Sequence, residues 1–155
     1  MTICALDLAT TTGFCSISNG ILISGSYKCR NKAKEPWGSC FLHFKRWLRE
    51  WLLQEKPEKL YYEEVMRFSS GQAAKAYCGL RAVMLMECEL WGIEVVGVAV
   101  GTIKKHATGS GKASKDEMIE AAWKRWGVRC DDDNQADAIA IIGLALDLEK
   151  QKKHT

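Results

Sequence analysis

Apolar and polar positions alternate or recur along the chain in a way that predicts nine secondary-structure elements. Residues 2–8 (TICALDL) are a short, largely apolar run ending near an acid, which predicts a buried strand. GFCSIS and ILISGSY follow, separated by Asn19-Gly20. Two apolar runs joined by Asn-Gly predict a hairpin, because a type I′ turn needs positive φ at both central residues. The basic stretch 28–35 predicts a loop. From Trp37 onward, Trp37, Phe41, Phe44, Leu48 and Trp51 recur at intervals of four and three residues, one face of a helix that Pro57 closes. KLYYEEV (59–65) predicts a fourth strand ending in carboxylates. Residues 72–91, rich in Ala, Leu and Met and free of Pro, predict a long helix, and IEVVGVAV (93–100) a fifth strand. Ser114-x-x-Glu117 is a capping box for a helix that stops at Gly127. A last helix is expected from about Asn134 to about Lys150, capped by Asp133 or Asn134, with the tail QKKHT frayed.

Three antiparallel strands followed by alternating strands and helices predict an α/β fold, a mixed five-stranded sheet with helices on both faces. With 155 residues and neither repeat nor linker, residues 1–150 are expected to form one domain and 151–155 its tail. A hydrophobic content of 47% with both signs of charge excludes a disordered chain. No apolar run approaches the roughly twenty residues that span a bilayer, so no membrane partner is expected. The start, MTICALDLATTTG, carries an acid and lacks a basic n-region, which argues against a signal peptide. The seven cysteines are odd in number, contain no C-x-x-C pair and fall partly inside apolar runs. They are expected to be buried thiols in a reducing, cytoplasmic compartment.

A net charge of +3 says little, but its distribution says more. Lys104, Lys105, Lys112 and Lys115, with His106, lie in a stretch without a single carboxylate; Lys28, Arg30, Lys32 and Lys34 form a second such stretch. Asp131, Asp132, Asp133 and Asp137 gather without a base among them. Each run alone is equally well read as a solvated surface. Placement separates the two readings. Asp7 ends the first strand, Glu63 and Glu64 end the fourth, and Asp137 follows Asn134 by three residues on the last helix, so both can face one spot. Ligands gather beyond the carboxyl ends of strands in such sheets, and an unpaired carboxylate at the end of a buried strand is costly. Carboxylates without histidine or thiolate suit Mg²⁺ or Mn²⁺, and two such ions support in-line phosphoryl displacement.

Four stretches, ALDLATTTGF, YYEEV, VGTIKKHATGSGKASKDEM and DDDNQADAIAI, resemble the RuvC-like Holliday-junction resolvases of the ribonuclease-H-like superfamily, the phage versions above all. The resemblance runs over nearly the whole chain. It implies a crossover junction endodeoxyribonuclease that cuts branched DNA, leaving 5′-phosphate ends and using two Mg²⁺ or Mn²⁺ ions per site in a bacterial or phage-infected cell. By motif position it assigns the metal ligands to Asp7, Glu63 and Asp137, with Asn134 standing where the family often has an aspartate. An amide brings no negative charge, and Asp133 next door is the alternative source of it. The resemblance further matches Lys104 and Lys115 to DNA-contacting residues, Met66, with Phe68 nearby, to a junction wedge, and the helix Ala73 to Trp91 to a homodimer interface; Lys105, Lys112 and Arg67 are expected to hold the DNA backbone beside them. It leaves open a nuclease of the same fold acting on hybrids or flaps, and a silent junction binder. TGSGKAS fails the Walker A pattern at His106 and Ala113, so the glycines are read as a flexible lysine-bearing loop. DLATTTG resembles the phosphate loop of actin-like ATPases, but those need two such domains, and no nucleotide cofactor is expected.

Overall fold

The computed structural model describes residues 1–155. Strands β1 (Ile3–Asp7), β2 (Thr11–Ser18) and β3 (Ile21–Lys28) form the antiparallel meander. Its tight turn has Asn19 at φ 50° and Gly20 at φ 78°, as the Asn-Gly pair requires. Helix α1 (Trp37–Glu55) leads to β4 (Lys59–Glu64), α2 (Gly71–Leu90) and β5 (Glu94–Ala99). Helices α3 (Val100–Thr108), α4 (Lys115–Trp126) and α5 (Asp133–Lys153) complete the chain. The sheet order is β3-β2-β1-β4-β5, with β1, β4 and β5 parallel.

Period-two alternation sorts β1 and β4 between two cores. Ile3, Ala5 and Tyr61 belong to the core under α3, α4 and α5; Cys4, Leu6, Leu60 and Tyr62 belong to the one under α1 and α2. The aromatic periodicity of α1 points inward, burying Phe44, Leu48 and Trp51. Five of the seven cysteines are buried thiols. No helix is long and apolar enough to cross a membrane.

Three expectations are corrected. A tenth element, absent from the nine predicted, follows β5: Val100–Thr108 is helix α3, which buries Ile103 and ends on Gly109 at φ 88°. Nine residues are too few for periodicity to reveal a helix, so Lys104 and Lys105 sit on a rigid element and only residues 109–114 form the loop. The cap of α5 is Asp132, one residue earlier than expected, whose Oδ1 accepts the Gln135 amide at 2.8 Å. The helix also continues to Lys153 instead of ending near Lys150. The Ser114–Glu117 capping box and the Gly127 stop of α4 form as expected.

A buried ionic clasp pins the last turns of α5. The Glu149 carboxylate accepts Tyr61 Oη at 2.6 Å and Lys59 Nζ at 3.0 Å. The tyrosine hydroxyl, then the Lys59 and Lys152 ammonium groups, pull its carboxyl down to about 2 against the cost of burial. A lowered folded pKa contributes stability above the ordinary glutamate range that is lost as pH falls from about 4.3 toward 2. Glu149→Gln is expected to cost about 2 kcal/mol at pH 7 and to flatten stability against pH in that acid window. Urea unfolding between pH 2 and 7 measures both.

Candidate metal centre

Asp7 is the last residue of β1, and the alternation that turns Ile3 and Ala5 toward α5 turns Asp7 there too. In the parallel pair, Leu6 lies beside Tyr62, which brings Glu63 next to Asp7. Glu63 shares the face of Tyr61, whereas Glu64 points the other way and meets Arg81 at 3.9 Å. Strand alternation thus chooses between two adjacent glutamates. Helix α5 supplies Asp137 from its second turn.

The three carboxylates converge: one oxygen from each lies within 4.8 Å of the others. None has a salt-bridge or hydrogen-bond partner among the protein's side chains, and all three are half-buried. Burial pushes the Asp7 carboxyl well above the aspartate range, helped by the negative charges of Glu63, Asp137, Asp133 and Asp132. Burial and Glu63, then Asp133, push Asp137 up to about 7, with Lys104 and Lys115 opposing. Burial raises Glu63 as well, opposed by Lys104. Like charges held together out of water cost free energy unless a cation neutralises them. A compact all-oxygen set without histidine or thiolate fits a hard divalent ion.

A glycine makes this convergence possible. Gly13 on β2 lies opposite Asp7, and a Cβ built on it would stand 1.8 Å from the Asn134 carbonyl oxygen. The first turn of α5 therefore rests directly on the backbone of β2. Gln135 anchors that turn, donating from Nε2 to Ser24 Oγ at 3.1 Å and accepting the Asp131 amide at 3.0 Å. Neither Gly13 nor Gln135 was singled out from sequence, although an isolated glycine inside a strand is a recognised signal of close backbone approach.

The remaining candidates divide. Lys104 on α3 and Lys115 at the start of α4 lie close enough to bias the acids, and Lys115 Nζ is 3.5 Å from Asp133. Lys105 and Lys112 are exposed, and neither is among the main charges acting on the three carboxyls. Asn134 stands in the first turn of α5, one turn before Asp137, while Asp133 carries the charge felt by both Asp7 and Asp137. In the β4–α2 connection Met66 projects with 83% of its surface exposed, whereas Phe68 folds against Tyr77 with ring centroids 5.4 Å apart. Arg67, between them, lines a groove with Phe68 and Tyr77.

No protein-family model matches the chain. A crossover junction endodeoxyribonuclease RuvC from Synechococcus is 30% identical over 118 residues, 74% of this chain and 76% of the relative. A protein of the same name from Bdellovibrio bacteriovorus is 28% identical over 102 residues, 66% of this chain and 56% of its own length. The fold matches that of Thermus thermophilus RuvC, solved in complex with a Holliday junction substrate, with a TM-score of 0.81 and 19% identity over 98% of this chain and 96% of that one. Identity of 30% across three quarters of a relative, on a fold shared along nearly the whole length, makes this chain a member of the RuvC family of crossover junction endodeoxyribonucleases.

Proposed function

We propose that the chain is a metal-dependent endonuclease that resolves four-way or otherwise branched DNA, with Asp7, Glu63 and Asp137 as its catalytic, metal-holding residues. The observation that carries this reading is the convergence of three partnerless carboxylates, from three distant segments, within 4.8 Å of one another. The names of the relatives, and the junction bound to the Thermus protein, support the choice of substrate.

Asp7, Glu63 and Asp137 would hold two Mg²⁺ or Mn²⁺ ions, which would supply an activated water for in-line attack and neutralise the charge developing on the leaving 3′-oxygen, giving 5′-phosphate ends. The chain's own part is positional. Strand ends β1 and β4 fix two ligands on one face, and α5, seated on Gly13, brings the third. Asn134 or Asp133 completes the ligand set. Lys104 and Lys115 face the same space and hold the DNA backbone beside it, and Lys105, Lys112 and Arg67 extend that contact outward. Met66, standing clear of the surface, is the better wedge of the two candidates.

A second copy packing on α2 accounts for paired cuts on opposed strands. The exposed stripe of Cys78, Ala82, Met86 and Leu90 at helical spacing supports that arrangement. Free thiols and a branched-DNA substrate support the cytoplasm of a bacterium or phage-infected cell as its compartment.

The test compares a synthetic four-way junction, a linear duplex, a flap and an RNA–DNA hybrid with Mg²⁺ or Mn²⁺ and with chelator. Cation-dependent nicking of the junction above the others is expected. Preference for the hybrid or flap overturns the substrate, and junction binding without nicking at any pH from about 6 to 9 overturns the enzyme. Lys115→Ala is expected to weaken junction binding and reduce the slope of log K against log salt by about 0.9, one phosphate contact. Affinities measured across a salt series check this.

A further inference from the structure

We propose that Tyr77 is a positioning residue for the metal centre, its hydroxyl fixing the backbone that aims the Glu63 carboxylate. This inference rests on the nuclease reading and deepens it. Glu63 makes no side-chain hydrogen bond or salt bridge, so the direction of its carboxylate is set by the backbone that carries it. The pairing of β4 with β1 ends at Tyr62, beside Leu6, while its pairing with β5 runs on to Glu64. Just past the point where the β1 pairing stops, the Tyr77 hydroxyl donates to the Glu63 carbonyl at 2.9 Å and accepts the Val65 amide at 3.0 Å. A residue of a parallel strand bonds its neighbour in the same way, to one carbonyl and to the amide two positions on. One hydroxyl, using its single proton and a lone pair, thus does the work of a strand residue.

Tyr77 can hold this post because its own helix is fixed. It lies in the second turn of α2, buried, with Leu80 and Met84 buried on the same face. One turn on, Arg81 Nε donates to Tyr62 Oη at 3.0 Å, and Arg81 Nη2 lies 3.9 Å from the Glu64 carboxylate. Tyr77 and Arg81 therefore hold residues 62–65 from one helix, on both sides of Glu63, through contacts that leave its carboxylate free. Helix α2 is in turn seated on α1. A Cβ on Gly79 would stand 2.0 Å from the Phe41 ring, and Arg49 donates twice to the buried Glu87, at 3.1 and 3.0 Å. A ligand set tolerates displacements of roughly 0.5 Å, and the groups behind a ligand tune metal affinity about 10- to 100-fold. Tyr77→Phe keeps the ring packed against Phe68 while leaving the Glu63 carbonyl and the Val65 amide without that hydroxyl, so the strand end is free to turn.

The experiment titrates Mn²⁺ into the cation-free protein and reads the free ion by electron paramagnetic resonance, which needs neither DNA nor turnover. Tyr77→Phe is expected to weaken Mn²⁺ binding about tenfold. Tyr61→Phe is the control, because it removes another buried hydroxyl near β4, the 2.6 Å donor to Glu149, and leaves the backbone of residue 63 bonded as before. It is expected to lower the melting temperature comparably and to keep Mn²⁺ affinity within about twofold. Junction binding in chelator is expected to stay within about twofold for both variants. Cleavage by Tyr77→Phe is expected to fall at limiting Mn²⁺ and to recover as the cation saturates. Unchanged Mn²⁺ affinity in Tyr77→Phe, an equal loss in Tyr61→Phe, or a loss of cleavage that the cation does not restore overturns the positioning role alone. An unaltered protein that binds no Mn²⁺ overturns the metal centre beneath it.

Discussion

Asp7→Asn is expected to lower junction cleavage by on the order of 10³-fold or more while leaving junction binding within about twofold. On the proposed reading the substitution removes a metal ligand from the centre and no contact to the DNA backbone, which that reading assigns to the lysines. It should also raise the thermal stability of the cation-free protein at pH 8, and this second effect separates a metal centre from an ordinary buried acid. Asp7 is held among the charges of Glu63, Asp137, Asp133 and Asp132 at a position where burial already disfavours ionisation. An amide of the same shape relieves that repulsion by about 2 kcal/mol, or roughly 6 °C for a chain of this size.

The sign of the pH dependence follows from the same repulsion. Asp137 is pushed up to about 7, so between the ordinary aspartate range near 4 and pH 7 the folded protein keeps a proton that the unfolded chain has lost. Stability of the cation-free protein falls as pH rises through that window, and the full penalty is present above it. Mg²⁺ or Mn²⁺ should restore it by binding the folded state alone. Melting curves at pH 5 and pH 8, with and without the cation, measure each part. Retained cleavage by Asp7→Asn, or a lower melting temperature of that variant at pH 8, would remove Asp7 from the centre.

Gly13→Ala is expected to cost at least about 100-fold in cleavage and about 3 kcal/mol in stability although Gly13 carries no chemistry. The added methyl would meet the Asn134 carbonyl oxygen at 1.8 Å, and the obstacle is backbone that cannot turn aside. Relief to ordinary contact near 3.5 Å requires the first turn of α5 to lift by roughly 1.5 Å. Asp137 is carried on that helix, and the Gln135–Ser24 hydrogen bond holding the turn at 3.1 Å breaks with the movement. The distinguishing signature is helical content near that of the unaltered protein together with loss of cation-induced stabilisation. Circular dichroism and melting with and without Mg²⁺ provide it; unchanged cation stabilisation would show that α5 is not seated by Gly13.

Much of this was legible in the sequence because the signals are local. The Asn19-Gly20 turn, the inward aromatic stripe of α1 and the Ser114–Glu117 box each depend on residues within a turn or two of one another, and each formed as expected. The three acids were recognisable from their positions at element ends and from the resemblance to resolvases. Local signals failed where an element was too short to show a period, as in α3, and where neighbouring candidates competed for one role, as with Asp132, Asp133 and Asn134 at the start of α5.

What the chain's order alone determined was the set of elements, the strand alternation that turns Asp7 and Glu63 rather than Glu64 to one face, and the presence of acids near their ends. Only the tertiary structure decided that the acids meet. Their distance depends on the parallel register of β1 with β4 and on the close seat of α5 over Gly13, contacts spanning from about fifty to more than a hundred residues of sequence. It also decided which lysines act on the centre, because Lys104 and Lys105 are adjacent in sequence but stand about 100° apart on a helix. Long-range geometry of this kind is set by packing of whole faces, which no short window of sequence contains.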